Sequence, residues 1–170
     1  MATTSPGYTA RILAWLAVGL TVAFIILGAL WYGFSAEVRH RIWQDIANRP
    51  GGPMTFRFVL QPVMATVAAL HDGLRDARAG RSPFFWTVLN NPDKRLERLR
   101  EGVIAVARIM LLGFAMDAIY QWQVLDTFYP GEAVIITLIL AVLPYFILRG
   151  PIARIAHWWL ARHPQPRPKG

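Results

Sequence analysis

The 170-residue sequence contains no cysteine. That excludes disulfides, thiolate metal sites and a cysteine nucleophile, and it leaves the redox compartment open. Lysine is nearly missing: only Lys94 and Lys169 occur, and arginine supplies the rest of the 18 basic residues. There is no P-loop, no G-x-G-x-x-G, no G-x-S-x-G and no H-E-x-x-H, which removes the common signatures of nucleotide, hydrolase and zinc-protease chemistry. The histidines (His40, His71, His157, His163) are far apart and show no i,i+4 pairing. A metal site is unsupported and no cofactor is implied.

Apolar residue types make up 55% of the chain, with a mean hydropathy of +0.34. The apolar residues come in blocks, which points to membrane spans rather than an oily core. The net charge is +8 and the pI about 10.8. Beside such blocks the expected counter-charge is anionic lipid headgroups, and no nucleic-acid motif accompanies the basic segments.

After a short tail (1–11), Ile12–Phe34 is free of charge and long enough to cross a hydrocarbon core of about 30 Å. It exceeds a signal-peptide h-region and lacks a small-residue cleavage site, so it reads as a retained span with Trp15 and Trp31–Tyr32 at its interfaces. The small pairs Gly19/Ala23 and Ala29/Gly33 have the spacing of close helix contacts. Ser35 is an expected N-cap for a short basic amphipathic helix whose apolar face is Val38, Ile42, Trp43 and Ile46, stopped by Pro50-Gly51-Gly52-Pro53. The stretch from Phe56 to Gly80 has one apolar stripe (Val59, Val63, Val67, Leu70, Leu74) and one polar or small stripe (Arg57, Gln61, Ala65, Ala68, Asp72, Asp76). Its continuous apolar part is short and is interrupted by Gln61-Pro62, so 56–79 is expected to lie in the membrane plane or to re-enter. Gly80 is an expected C-cap, Ser82-Pro83 a turn, Phe84–Trp86 an interfacial anchor, and Asn91-Pro92 a helix start.

The second expected span is 103–124, the link 125–132 is acidic and turn-rich, and the third span is 133–149, closed by Arg149-Gly150-Pro151. An amphipathic helix carrying Ile152, Ile155 and Trp159 and a basic, disordered tail complete 150–170. The expected fold is therefore an all-α integral membrane protein: three transmembrane helices plus a cytoplasmic amphipathic segment over 35–102. Four transmembrane helices are the alternative. The link between the second and third spans has no Lys or Arg, whereas 35–102 and the C-terminal end are rich in them. The positive-inside rule then makes the middle segment and the C-terminus cytoplasmic, in a bacterial inner membrane, with the N-terminus outside.

Three residues are candidates for intramembrane polar chemistry: Arg108, Asp117 and Gln61. Arg108 and Asp117 are nine residues apart, on opposite faces of one helix. Arg108 is expected to snorkel to the cytoplasmic interface, and Asp117 to hydrogen-bond a Tyr or Gln at a helix contact. Arg75, Arg78, Arg81 and Trp86 are candidates for lipid-headgroup or partner contact. Asp72–Arg78, DGLRDAR, is similar to the aspartate-rich motif of CDP-alcohol phosphotransferases, D-x-x-D-G-x-x-A-R. It departs from that motif at Ala69, in the late Ala77-Arg78, and in lacking the second aspartate pair. A magnesium-bound pyrophosphate would have no ligand set. The combination FRFVLQPVMA, DGLRDARAGRSPFFW and FYPGEAV…LPYFILRGP resembles a type of small multi-pass inner-membrane protein of alphaproteobacteria. The resemblance covers most of 56–151 and implies an inner membrane and no activity, so no functional residue is carried over.

The leading expectation is a non-enzymatic inner-membrane accessory or scaffold protein whose basic amphipathic platform contacts anionic lipid or a partner protein. The alternative is a small homo-oligomeric transporter or channel with Asp117 in a polar intramembrane site. A lipid-acting enzyme using Asp72 and Asp76 ranks last, for want of the remaining ligand or nucleophile set.

Overall fold

A computed structural model describes residues 7–33, 35–82 and 84–162, leaving aside the side chain of Phe85. The expected disorder of the tail beyond 162 and the Pro83 turn residue lie outside the described residues. Seven α-helices form, and no strand is present among the described residues: α1 Tyr8–Tyr32, α2 Ala36–Asn48, α3 Arg57–Arg78, α4 Phe84–Asn90, α5 Pro92–Val124, α6 Pro130–Thr137 and α7 Leu143–Arg162. A single 3-10 turn, Arg49–Gly51, precedes α3, and a π-helical segment, Leu138–Val142, joins α6 to α7 without a break.

Three helices are long and apolar enough to cross a membrane: Tyr8–Tyr32, Pro92–Val124 and the continuous Pro130–Arg162. The last of these does not stop at Arg149-Gly150-Pro151, as the proline suggested; Pro151 lies inside α7. Pro144 cannot donate to Leu140 and its ring crowds that carbonyl. The π-segment just upstream, where the Leu143 N–H donates to Leu138 O, widens the turn and accommodates it.

Helix α3 is the main departure from expectation. Expected to lie in the membrane plane or to re-enter, 56–79 packs lengthwise in the bundle against α5 and α7. At its start Arg57 donates to Asp117 of α5 (2.5 Å); at its end Asp76 accepts from Arg98 of α5 (3.1 Å) and Arg149 of α7 (2.9 Å). It therefore runs antiparallel to α5 and parallel to α6–α7, where Glu132 lies at the Asp117 end and Arg149 at the Asp76 end. Helix α1 runs parallel to α5: Phe24 packs edge-on against Phe114 (5.3 Å), and the Tyr32 hydroxyl donates to Phe128 O (2.9 Å). The result is four long helices alternating in direction, with Asp76 at one end and Asp117 at the other.

The two stripes of α3 explain its position. The inward residues are Arg57, Gln61, Ala65, Ala69, Gly73 and Asp76, all buried, while Val59, Val63, Val67 and Leu70 are exposed. Polar groups at the two ends and alanines between them face the bundle, and the valines face out. At the C-terminal end Gly80, with φ +63°, completes a Schellman motif: its N–H donates to Ala77 O (3.1 Å) and the Arg81 N–H to Asp76 O (3.0 Å). Ser35 caps α2 as expected, accepting from the Val38 N–H (3.2 Å). No residue of α2 is buried.

Helices α3 and α7 approach closely at Gly73. A Cβ on Gly73 would sit 2.7 Å from Ile152 Cγ2 and 3.2 Å from Arg149 O, whereas one on Gly19 would meet nothing within 4 Å. Gly73→Ala is thus expected to cost about 1–3 kcal/mol by overpacking. Gly19→Ala should be neutral or stabilising by up to about 1 kcal/mol. Thermal unfolding of both variants in the same detergent checks the contrast; equal effects would contradict this packing.

Candidate functional site

Two buried ion clusters close the bundle, one at each end. At the first, Asp76 takes a bidentate pair from Arg98 (Nη1 to Oδ1 3.1 Å, Nη2 to Oδ2 3.2 Å) and two nitrogens from Arg149 (Nε 2.9 Å, Nη2 2.8 Å). Half-exposed Glu101 adds contacts to Arg98 (3.0 Å) and Arg81 (3.3 Å). Arg149 Nη1 also donates to the Tyr145 hydroxyl (2.8 Å), which donates to Asp72 (2.6 Å). Three acids and three arginines meet there. Asp72 is thus held across the bundle by Tyr145 of α7.

At the other end Asp117 accepts from Arg57 (2.5 Å), from Arg49, and from Gln121 (2.5 Å). Glu132, at the start of α6, takes Arg49 (2.8 Å) and Arg41 (3.1 Å), and Arg41 also approaches Asp45 (3.6 Å). The ring of Tyr120 lies beneath both Arg49 (4.9 Å) and Arg57 (5.6 Å). Again three acids face three arginines. Arg49, Arg57, Asp117, Gln121 and Glu132 are all buried. Asp117 bonds Gln121 of its own helix and not a Tyr or Gln across a helix contact, and its two arginines were not anticipated. They come from the turn before α3 and from the first residue of that helix.

Gln61 lies one turn deeper than Arg57 and is fully buried. Gln61 Nε2 and Thr137 Oγ1 each approach within 3.0 Å of where a Cβ on Gly113 would sit. Neither the Gln61 amide nor the Thr137 hydroxyl has a partner among the described residues, and Nε of Arg49 and Nε and Nη1 of Arg57 are likewise unsatisfied. These unpaired polar atoms all belong to the Asp117 end, where they form a column two turns deep with room in its hydrogen bonding for water or a small polar ligand.

The other functional candidates separate. Arg75, Arg81 and Trp86 line a cavity of about 1120 Å³ beside the Asp76 cluster, together with Arg11, Lys94 and Arg100. Arg78 is exposed and does not line it. Arg81 is engaged by Glu101, whereas Arg11, Arg75, Lys94 and Arg100 have no ion-pair partner among the described residues. Arg108 is exposed and Asp117 buried, on opposite faces as their spacing requires. No family model, curated protein or solved structure matches the chain.

Each cluster is balanced, so removing one acid strands buried guanidinium charge. Asp76→Asn is expected to destabilise the bundle by about 3–5 kcal/mol. Gln61→Leu removes an amide that has no partner to lose and should leave stability unchanged or raise it by about 1–3 kcal/mol. Denaturation in detergent reads both. A large loss with Gln61→Leu would show that the amide holds a bound molecule.

Proposed function

We propose that the chain is a four-span protein of a bacterial inner membrane, with both ends of the chain cytoplasmic, that serves as a non-enzymatic accessory or scaffold subunit. In this reading it holds the phosphorylated headgroup of an anionic phospholipid at its cytoplasmic side. Four spans follow from parity. Helices α1 and α5 point the same way, so a chain that crosses with both must cross back between them, and α3 is the long helix there. Its exposed valines then meet lipid, and its arginine, glutamine and aspartate stay inside the bundle. This reading takes the four-span alternative over three spans with an in-plane or re-entrant α3, and it moves the N-terminus to the cytoplasm.

Sidedness rests on the basic residues. Among the described residues, Arg39, Arg41, Arg49 and Arg57 are the basic ones at the Asp117 end, and Arg49 and Arg57 are consumed in buried pairs. The Asp76 end carries Arg11, Arg75, Arg78, Arg81, Lys94, Arg95, Arg98, Arg100, Arg149, Arg154 and Arg162. The positive-inside rule places that end in the cytoplasm.

The observation that carries the functional reading is the cavity at that end. Arg11, Arg75, Lys94 and Arg100 stand on its wall without an ion-pair partner among the described residues, opposed there by the similarly unpaired acid Glu97, with exposed Trp86 at interface depth. Unpaired cations around a cavity at headgroup depth suit a phosphate group. A second reading, a small homo-oligomeric transporter or channel, draws on the unsatisfied column of Gln61, Thr137 and Arg57 above Asp117. It requires several copies, because four helices filled by their own side chains leave no pathway.

Two measurements test the proposal. Ala47 and Ala79 are exposed at opposite ends, and the absence of native cysteine makes single-cysteine labelling clean. Ala47→Cys should react with an impermeant maleimide in intact spheroplasts, and Ala79→Cys only after lysis; the reverse pattern overturns the orientation. For the headgroup, native mass spectrometry of protein from nanodiscs of mixed phosphatidylglycerol and phosphatidylcholine should show retained phosphatidylglycerol. Arg75→Glu with Lys94→Glu should lose it and Arg78→Glu should keep it. Equal retention by all three overturns the headgroup site.

A further inference from the structure

Arg108 has no place in either ion cluster or in the cavity. It is exposed on the outer face of α5, and no hydrogen bond or ion pair from the described residues reaches it. Its neighbours on that face, Ile104, Ala105, Leu111, Leu112 and Ala115, are apolar and half-buried or exposed. Arg98 marks one buried ion cluster on α5 and Asp117 the other. Arg108 stands ten residues after the first and nine before the second, about 15 Å and 14 Å along the helix. It is thus at mid-depth, not near the cytoplasmic edge where snorkelling would relieve it. A lone guanidinium facing hydrocarbon at that depth is costly, and such residues are retained to meet a partner charge.

The chain itself cannot supply that charge. Of its ten acidic residues, Glu37, Asp45, Asp117, Asp126 and Glu132 belong to one end of the bundle and Asp72, Asp76, Asp93, Glu97 and Glu101 to the other. A second copy would bring another Arg108 to the same depth but no carboxylate. We infer that the Arg108 face of α5 docks a transmembrane helix of a different membrane protein, one carrying an Asp or Glu near the middle of its apolar stretch. This rests on the four-span, accessory-subunit reading and names the chemistry of the partner.

The probe is a synthetic 22-residue Leu/Ala helix bearing an acceptor dye, made with a single central Asp or a central Leu. Full-length protein carries a donor dye on Ala161→Cys, in phosphatidylcholine vesicles at about pH 8. Energy transfer should show the Asp helix bound roughly tenfold more tightly than the Leu helix. Arg108→Leu should abolish that preference and Arg108→Lys should keep part of it. Because no hydrogen bond or ion pair from the described residues holds Arg108, Arg108→Leu should unfold at the same temperature as the parent or higher, so its loss of binding cannot be put down to misfolding. Equal binding of the Asp and Leu helices, or an undiminished preference in Arg108→Leu, overturns the assignment and leaves Arg108 solvated by the bilayer. Self-association of donor- and acceptor-labelled copies that Arg108→Leu abolishes also overturns it, in favour of a second copy. Failure of the four-span reading would show separately, in the maleimide pattern at Ala47 and Ala79.

Discussion

The carboxylate of Asp76 takes two nitrogens from Arg98 and two from Arg149, and that of Asp117 binds Arg49 and Arg57 while its second oxygen accepts from Gln121. On α5, Arg98 and Asp117 are nineteen residues apart, as are Arg57 and Asp76 on α3. At 1.5 Å per residue both intervals are about 28 Å, close to the ~30 Å of a hydrocarbon core. Lipid tails compete with apolar side chains on equal terms, so apolar packing alone sets helix register weakly in a bilayer. Charge sets it here. Sliding α3 by one turn, about 5.4 Å, would break both clusters at once.

The same pairing permits α3 to be built inside out. A helix with Arg57, Gln61 and Asp76 on one face would lie at a water surface if those groups had no partners. Arg57 instead meets Asp117 of α5 and Asp76 meets Arg98 of α5 and Arg149 of α7, and between the ends the face is reduced to Gln61, Ala65, Ala69 and Gly73. Those small residues allow α7 to approach closely, with Ile152 against Gly73. The valines of the opposite stripe become the outer surface.

Hydropathy made α1, α5 and the core of α6–α7 legible in the sequence, because each carries a long apolar block, broken by charge in α5 only at Arg108 and Asp117. It could not find α3. A window average counts Arg57, Gln61, Asp72 and Asp76 as polar cost, and it cannot see that the partners of Arg57, Asp72 and Asp76 lie 22 to 73 residues away. The stripes of α3 were visible, but amphipathicity does not say which face is wet. The same distance hid the sites. Asp117 was legible as a polar contact because Gln121 is on its own helix, whereas Arg49 and Arg57 carried no local mark separating them from topology signals. Pro151 looked like a stop because helix interiors seldom hold proline, and the π-segment that accommodates nearby Pro144 has no sequence signature.

Function turns on which charges are free to act. Opening the bundle at either end would strand charge in a balanced cluster, at about 3–5 kcal/mol for each buried pair broken, a factor of roughly 10²–10⁴ in population. A transport cycle needs such openings, alternately at both ends. The cations on the cavity wall need none: Arg11, Arg75, Lys94 and Arg100 are exposed and have no ion-pair partner among the described residues. Arg108 is in the same position on the helix flank. The exposed cations thus lie on the outside of a bundle whose interior charges are paired, with only hydrogen-bonding capacity at Arg49, Arg57, Gln61 and Thr137 left open within it, which favours the proposed lipid-contact role over transport of a solute through the middle.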